Sequence, residues 1–80
     1  MDNTALYSKL TGIFHDVFDD DEITLNPEMT ASDVEGWDSL AHVRLILTIE
    51  KAFNIKFAAS EIGRLKNVGG LAQLIQSKVP

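Results

Sequence analysis

Apolar residues recur at three- and four-residue steps in separate stretches of this 80-residue sequence, and no pair of strand-like runs is joined by a credible hairpin turn. The first stretch, Leu6, Leu10, Ile13, Phe14, Val17 and Phe18, predicts an amphipathic helix from about Thr4 to Phe18, with Asn3 or Thr4 as its N-cap. The rhythm stops at Asp19-Asp20-Asp21-Glu22, where negative charge is unfavourable at a helix C-terminus. A second helix is predicted from Leu40 to Phe53, a run without Gly or Pro, capped by Asp38 or Ser39 and ended by Asn54. A third runs from about Val68 to Lys78 behind Asn67, with Val68, Leu71, Ala72, Leu74, Ile75 and Val79 as its core stripe. Gly69 and Gly70 weaken its first turn. A short helix from Ser60 to Leu65, with Ser60 as cap, completes an all-α reading: a four-helix bundle of three main helices, one short helix and a long first loop.

These helices must hold the fold unaided. The chain has no cysteine, which excludes disulfides, thiolate metal sites and a cysteine nucleophile. Its length sets one domain, 1–80, with apolar residues (45%) enough for one small core and too few for a deep walled substrate cavity. Residues 19–38 read as a loop broken at Asn26-Pro27 and Gly36, with Ile23, Leu25, Met29, Val34 and Trp37 pinning it to the core. A loop this long in so small a domain is often functional.

The net charge of −5 leaves no basic footprint for nucleic acid, and no apolar run is long enough to span a bilayer. The N-terminus lacks the basic region of a signal peptide. We expect a complete, cytoplasmic, monomeric protein. The charge is unevenly placed, −9 up to Asp38 and +4 from Ser39 onward. Such a split indicates either attraction within one fold or a polarised surface that orients a partner.

The second helix carries two apolar faces. At about 100° per residue from Leu40, the residues Leu45, Ile46, Ile49 and Phe53 share one arc. Leu40, Val43 and Leu47 lie nearly opposite, beside Arg44 and Lys51. Either the long loop folds over this second row, or the row is an exposed partner-binding surface flanked by cations. At the start of the same helix, Gly36-Trp37-Asp38-Ser39-Leu40 sets a serine hydroxyl beside a carboxylate at a loop-to-helix junction. Helix N-termini leave N–H groups unpaired and favour anions, so a phosphate on Ser39 would sit in a favourable field. A small chain with such a serine suggests a residue that is modified rather than one that catalyses.

At these residues the chain resembles the acyl carrier protein family. Asp38-Ser39-Leu40 and the helix that follows, the Phe53-Asn54-Ile55 exit and the Gly70-Leu71-Ala72 start of the last helix all fit, in a frame covering nearly the whole chain. The resemblance implies a carrier, not an enzyme. Ser39 would receive 4′-phosphopantetheine from coenzyme A through a phosphopantetheinyl transferase, with Asp38 and Leu40 flanking the attachment point. The arm's thiol would hold acyl groups as thioesters and present them to acyl-loading and acyl-processing enzymes of fatty acid, polyketide or other specialised biosynthesis. In the family the helix after the serine is the docking surface, and Leu40, Val43, Arg44, Leu47 and Lys51 match its exposed positions. Fatty-acid carriers usually have an acid-rich docking helix, whereas this one holds Glu50 against Arg44 and Lys51. Reversed charge selects against partners built for the other sign, so a dedicated pathway is expected rather than housekeeping fatty-acid synthesis.

Other readings compete. Peptidyl or aminoacyl carriers share the frame and the serine, and a helical interaction module without prosthetic group would account for the double face. Ser39 and His42 are spaced for a hydrolytic dyad, but no Gly-x-Ser-x-Gly elbow is present, and His42 falls near the core stripe as a packed or edge histidine. His15 reads as a solvated or edge residue. Asp19–Glu22 lacks the EF-hand spacing and reads as a solvated acidic turn, with no metal site expected. Trp37 is either a loop anchor or an aromatic contact for the arm or a partner.

Overall fold

A computed structural model describes residues 2–79, so the ends of the expected 1–80 domain, Met1 and Pro80, lie outside the described residues. Its elements are helix α1 (Asn3–Phe18), a 3₁₀ turn (Ala31–Asp33), α2 (Ser39–Phe53), α3 (Ala59–Gly63) and α4 (Val68–Lys78). No strand occurs among the described residues. The layout is the expected all-helical bundle. Helix α1 packs chiefly against α2 and more lightly against α4.

The long helices stop where local chemistry stops them. Asp19 and Asn54 both adopt the left-handed conformation that closes α1 and α2. Asn67 caps α4, its Oδ1 accepting from the Gly70 N–H at 2.8 Å. Two starts differ from the sequence reading. The N-cap of α1 is Asp2, accepting weakly from the Thr4 N–H at 3.4 Å, rather than Asn3 or Thr4. Helix α3 begins before Ser60, and Glu61 makes the cap from inside, its carboxylate accepting from the Ala58 N–H at 2.8 Å. That carboxylate also pairs with Lys78 at 3.0 Å, tying α3 to α4. Both partners lie in the basic half of the chain, so this ion pair does not join the two halves.

Leu6, Leu10, Phe14, Leu45, Ile49, Val68 and Ile75 are fully enclosed at the centre. Around them pack Ile23, Leu25, Met29 and Trp37, so the loop after α1 is pinned as its apolar residues predict. Val34 is buried too. His15 adds a polar tie, its Nε2–H donating to the Ile23 carbonyl at 2.8 Å. At the far end of the loop, the Val68 and Gly69 N–H groups donate to the Met29 and Pro27 carbonyls at 2.8 and 2.9 Å. This crossing explains Gly69: a Cβ there would stand 3.0 Å from both the Pro27 Cβ and its carbonyl oxygen. The glycine that weakens the first turn of α4 is what lets the loop lie across it.

Candidate functional site

The start of α2 is built by its own sequence. Gly36 takes φ +86°, a left-handed conformation that turns the loop toward the helix. Asp38 follows in extended conformation as N-cap, its Oδ1 accepting from the Ala41 N–H at 2.8 Å. Its carbonyl accepts from the His42 N–H at 2.9 Å. Ser39 is thereby the first helical residue, exposed to solvent. Helix geometry leaves the N–H groups of Ser39 and Leu40 without intrahelical acceptors.

Ser39 opens onto a shallow groove of about 570 Å³, to which Trp37, Asp38, His42 and Val43 contribute from one side and Leu65, Lys66 and Leu71 from the other. An anionic group on the Ser39 hydroxyl fits this setting. It would face the free amides of the first turn, and Lys66, which lines the same groove, adds a positive charge to set against the neighbouring Asp38 carboxylate. The sequence reading missed Lys66 and Leu65 as groove residues. They come from the segment between α3 and α4, and no local pattern relates that segment to Ser39.

Trp37 holds the junction in place. Its ring meets Phe14 edge-on at 5.3 Å and Phe18 at 5.8 Å, so it is a loop anchor. Its indole Nε1–H donates to His42 Nδ1 at 3.1 Å, and the two rings stack at 6.0 Å with 20° between planes. His42 is therefore the packed, edge-of-core histidine its helical angle indicates. Burial pushes its pKa below the ordinary value of 6.5. Because Nδ1 accepts from Trp37, a neutral ring carries its proton on Nε2 and has no free basic nitrogen for Ser39, and among the described residues no hydrogen bond joins the two side chains, so no Ser39–His42 dyad forms.

Of the two apolar faces of α2, Leu45, Ile46, Ile49 and Phe53 are buried. The loop does not cover the other: Leu40, Val43 and Leu47 are 72, 54 and 55% exposed. Arg44 and Lys51 are exposed beside them. Glu50, the single acid of this helix, is turned to the following segment, its carboxylate accepting from the Phe57 N–H at 2.8 Å. The exposed apolar row is thus flanked by two cations, on a helix whose single carboxylate bonds to the backbone of the following segment. Among the described residues no three His, Asp or Glu side chains converge as a metal site, and in the acidic turn Asp20 caps the Glu22 N–H at 3.0 Å. No helix among them is long and apolar enough to cross a membrane.

A family model described as the phosphopantetheine attachment site matches residues 8–75. Among solved structures, the solution NMR structure of a holo acyl carrier protein from Geobacter metallireducens is 50% identical. That match covers 90% of this chain and 83% of the other, with a TM-score of 0.86. No curated protein matched significantly.

Proposed function

Because this chain belongs to the phosphopantetheine-attachment family and is an acyl carrier protein, we propose that Ser39 is the residue that bears its 4′-phosphopantetheine group. When bound, the group supplies a flexible arm with a terminal thiol that carries acyl chains as thioesters. The observation that carries this reading is the exposed Ser39 hydroxyl on the first turn of α2, beside a groove with a cationic side chain. The residues around it have definable tasks. Asp38 holds the first turn, leaving the Ser39 and Leu40 amides for phosphate oxygens. Leu40, at the head of the exposed row, gives the transferase an apolar grip next to the serine. Intact-mass spectrometry after incubation with coenzyme A and a broad-specificity phosphopantetheinyl transferase tests the assignment. A gain of one phosphopantetheine on wild type and none on folded Ser39→Ala is expected. Modification persisting in Ser39→Ala would overturn it.

The carrier docks its acyl-loading and acyl-processing enzymes, as a monomer, through Leu40, Val43 and Leu47, with Arg44 and Lys51 selecting partners that present carboxylates. The engaged Glu50 and the two exposed cations support a dedicated polyketide or other specialised acyl pathway over housekeeping fatty-acid synthesis. Binding to a housekeeping ketosynthase should be weak, and affinity equal to that of an acidic carrier would refute this choice of pathway.

A further inference from the structure

The Trp37–His42 pair fixes a proton. An indole N–H only donates, so His42 Nδ1, at 3.1 Å, must accept. A neutral imidazole then carries its single proton on Nε2. Partial burial favours the neutral form of the ring. Stacking on Trp37 fixes the ring plane. No protein acceptor meets Nε2 among the described residues, and no buried side-chain nitrogen or oxygen among them lacks a partner, so Nε2 is accessible to solvent on a residue that lines the groove.

Within that groove, Asp38 Oδ1 and Asn67 Oδ1 are spent on helix caps, and Val43, Leu65 and Leu71 are apolar. An oriented N–H donor therefore stands beside these apolar side chains, in a groove whose other polar groups include the Ser39 hydroxyl, the second Asp38 carboxylate oxygen, the Asn67 amide N–H₂ and the Lys66 side chain. It stands one helical turn beyond Ser39, about 4.5 Å further along the axis. A chain attached at Ser39 that turns along α2 passes it, and the arm carries amide carbonyl oxygens that need donors when taken out of water.

We infer that His42 is a positioning residue for the prosthetic arm: its Nε2–H donates a hydrogen bond to an amide carbonyl of the arm laid in the groove, and Trp37 selects the tautomer that makes this possible. The inference rests on attachment at Ser39. Its charged neighbours in the groove are Asp38 and Lys66. Protonation of His42 would place a second N–H against the indole N–H, break the pair and release the arm.

Nitrogen-15 correlation spectra of the imidazole ring, in unmodified and modified protein, test this directly. The unmodified protein should show a protonated Nε2 and an unprotonated, accepting Nδ1. On modification, Nε2 and its proton should shift, and nuclear Overhauser contacts should appear between arm protons and the side chains of Val43 and Leu65. In His42→Phe, compared at an extent of modification verified by mass, those contacts should be lost. His42→Gln, which can accept from Trp37 and donate to the arm, should restore them in part. If His42→Phe does not fold, Trp37→Phe serves instead, because it frees the tautomer and should weaken the same contacts. A proton on Nδ1 in the unmodified protein, or arm contacts unchanged in the variants, overturns the inference. Absence of any mass gain on wild type overturns the attachment itself and is read separately.

Discussion

Leu45 and Leu47 stand two residues apart on α2, and truncating each to alanine separates core from docking face. Both substitutions change leucine to alanine inside one helix, so the propensity term is nearly common to both. Leu45 is fully enclosed, and Leu45→Ala leaves a cavity under α1, with an expected loss of about 2–5 kcal/mol. Leu47 is 55% exposed, so less than half of its surface is hidden and water fills the space vacated. Fully burying a leucine is worth about 1.5–3 kcal/mol, and the part of it removed here is worth about 0.5 kcal/mol. A domain of this size holds on the order of 4–12 kcal/mol in all. Leu45→Ala should therefore lower Tm by about 8 °C or more, and Leu47→Ala by about 2–4 °C. Urea titrations followed by far-UV circular dichroism and by fluorescence of Trp37, the only tryptophan, measure both. The order should reverse for partner binding, where Leu47→Ala should cost at least about 1 kcal/mol, roughly fivefold in Kd. Equal destabilisation by the two substitutions would show that the exposed row is covered in solution. Unchanged partner affinity in Leu47→Ala would show that it is not the docking face.

Asp38→Ala removes the bond to the Ala41 N–H and should cost about 1 kcal/mol, seen as a lower urea midpoint. Gly69→Ala should destabilise by about 1–3 kcal/mol, because its Cβ meets Pro27 at 3.0 Å. Gly12→Ala, where nothing lies within 4 Å, should instead stabilise α1 by about 0.5–1 kcal/mol, and calorimetry distinguishes the two. Arg44→Glu with Lys51→Glu should raise affinity for an enzyme with a basic docking patch and lower it for the carrier's own partners, with both effects shrinking as salt is added. Folding keeps His42 neutral more firmly than the unfolded chain does, so its contribution to stability is full above its ordinary value of 6.5 and falls as pH drops through the lower folded value. Comparing Tm at about pH 8 and about pH 5 should show a smaller acid loss in His42→Gln than in wild type.

The legible features were those set within one turn of chain. Apolar spacing placed the three main helices, because a helical stripe repeats every three to four residues whatever lies opposite. Asp38, Asn54 and Asn67 act at the boundaries read for them, since a cap bonds amides two or three residues away. Ser39 at a helix start was legible for the same reason. The short helix was misplaced because its cap comes from Glu61, inside the element, and a serine nearby was the more familiar signal.

Sequence by itself therefore determined the helical class, the main helix ends, the two faces of α2 and the candidate serine, all of which depend on neighbours in the chain. Only the tertiary structure decided which face stays open, because the path of residues 19–38 depends on distant contacts: Trp37 against Phe14 and Phe18, His15 on Ile23, and the Pro27–Met29 crossing over Gly69. It also brought Leu65 and Lys66 to the groove beside Ser39 and set which nitrogen of His42 holds the proton. Those outcomes rest on distance and hydrogen-bond direction between residues from separate segments, which exist only once the chain has closed on its core.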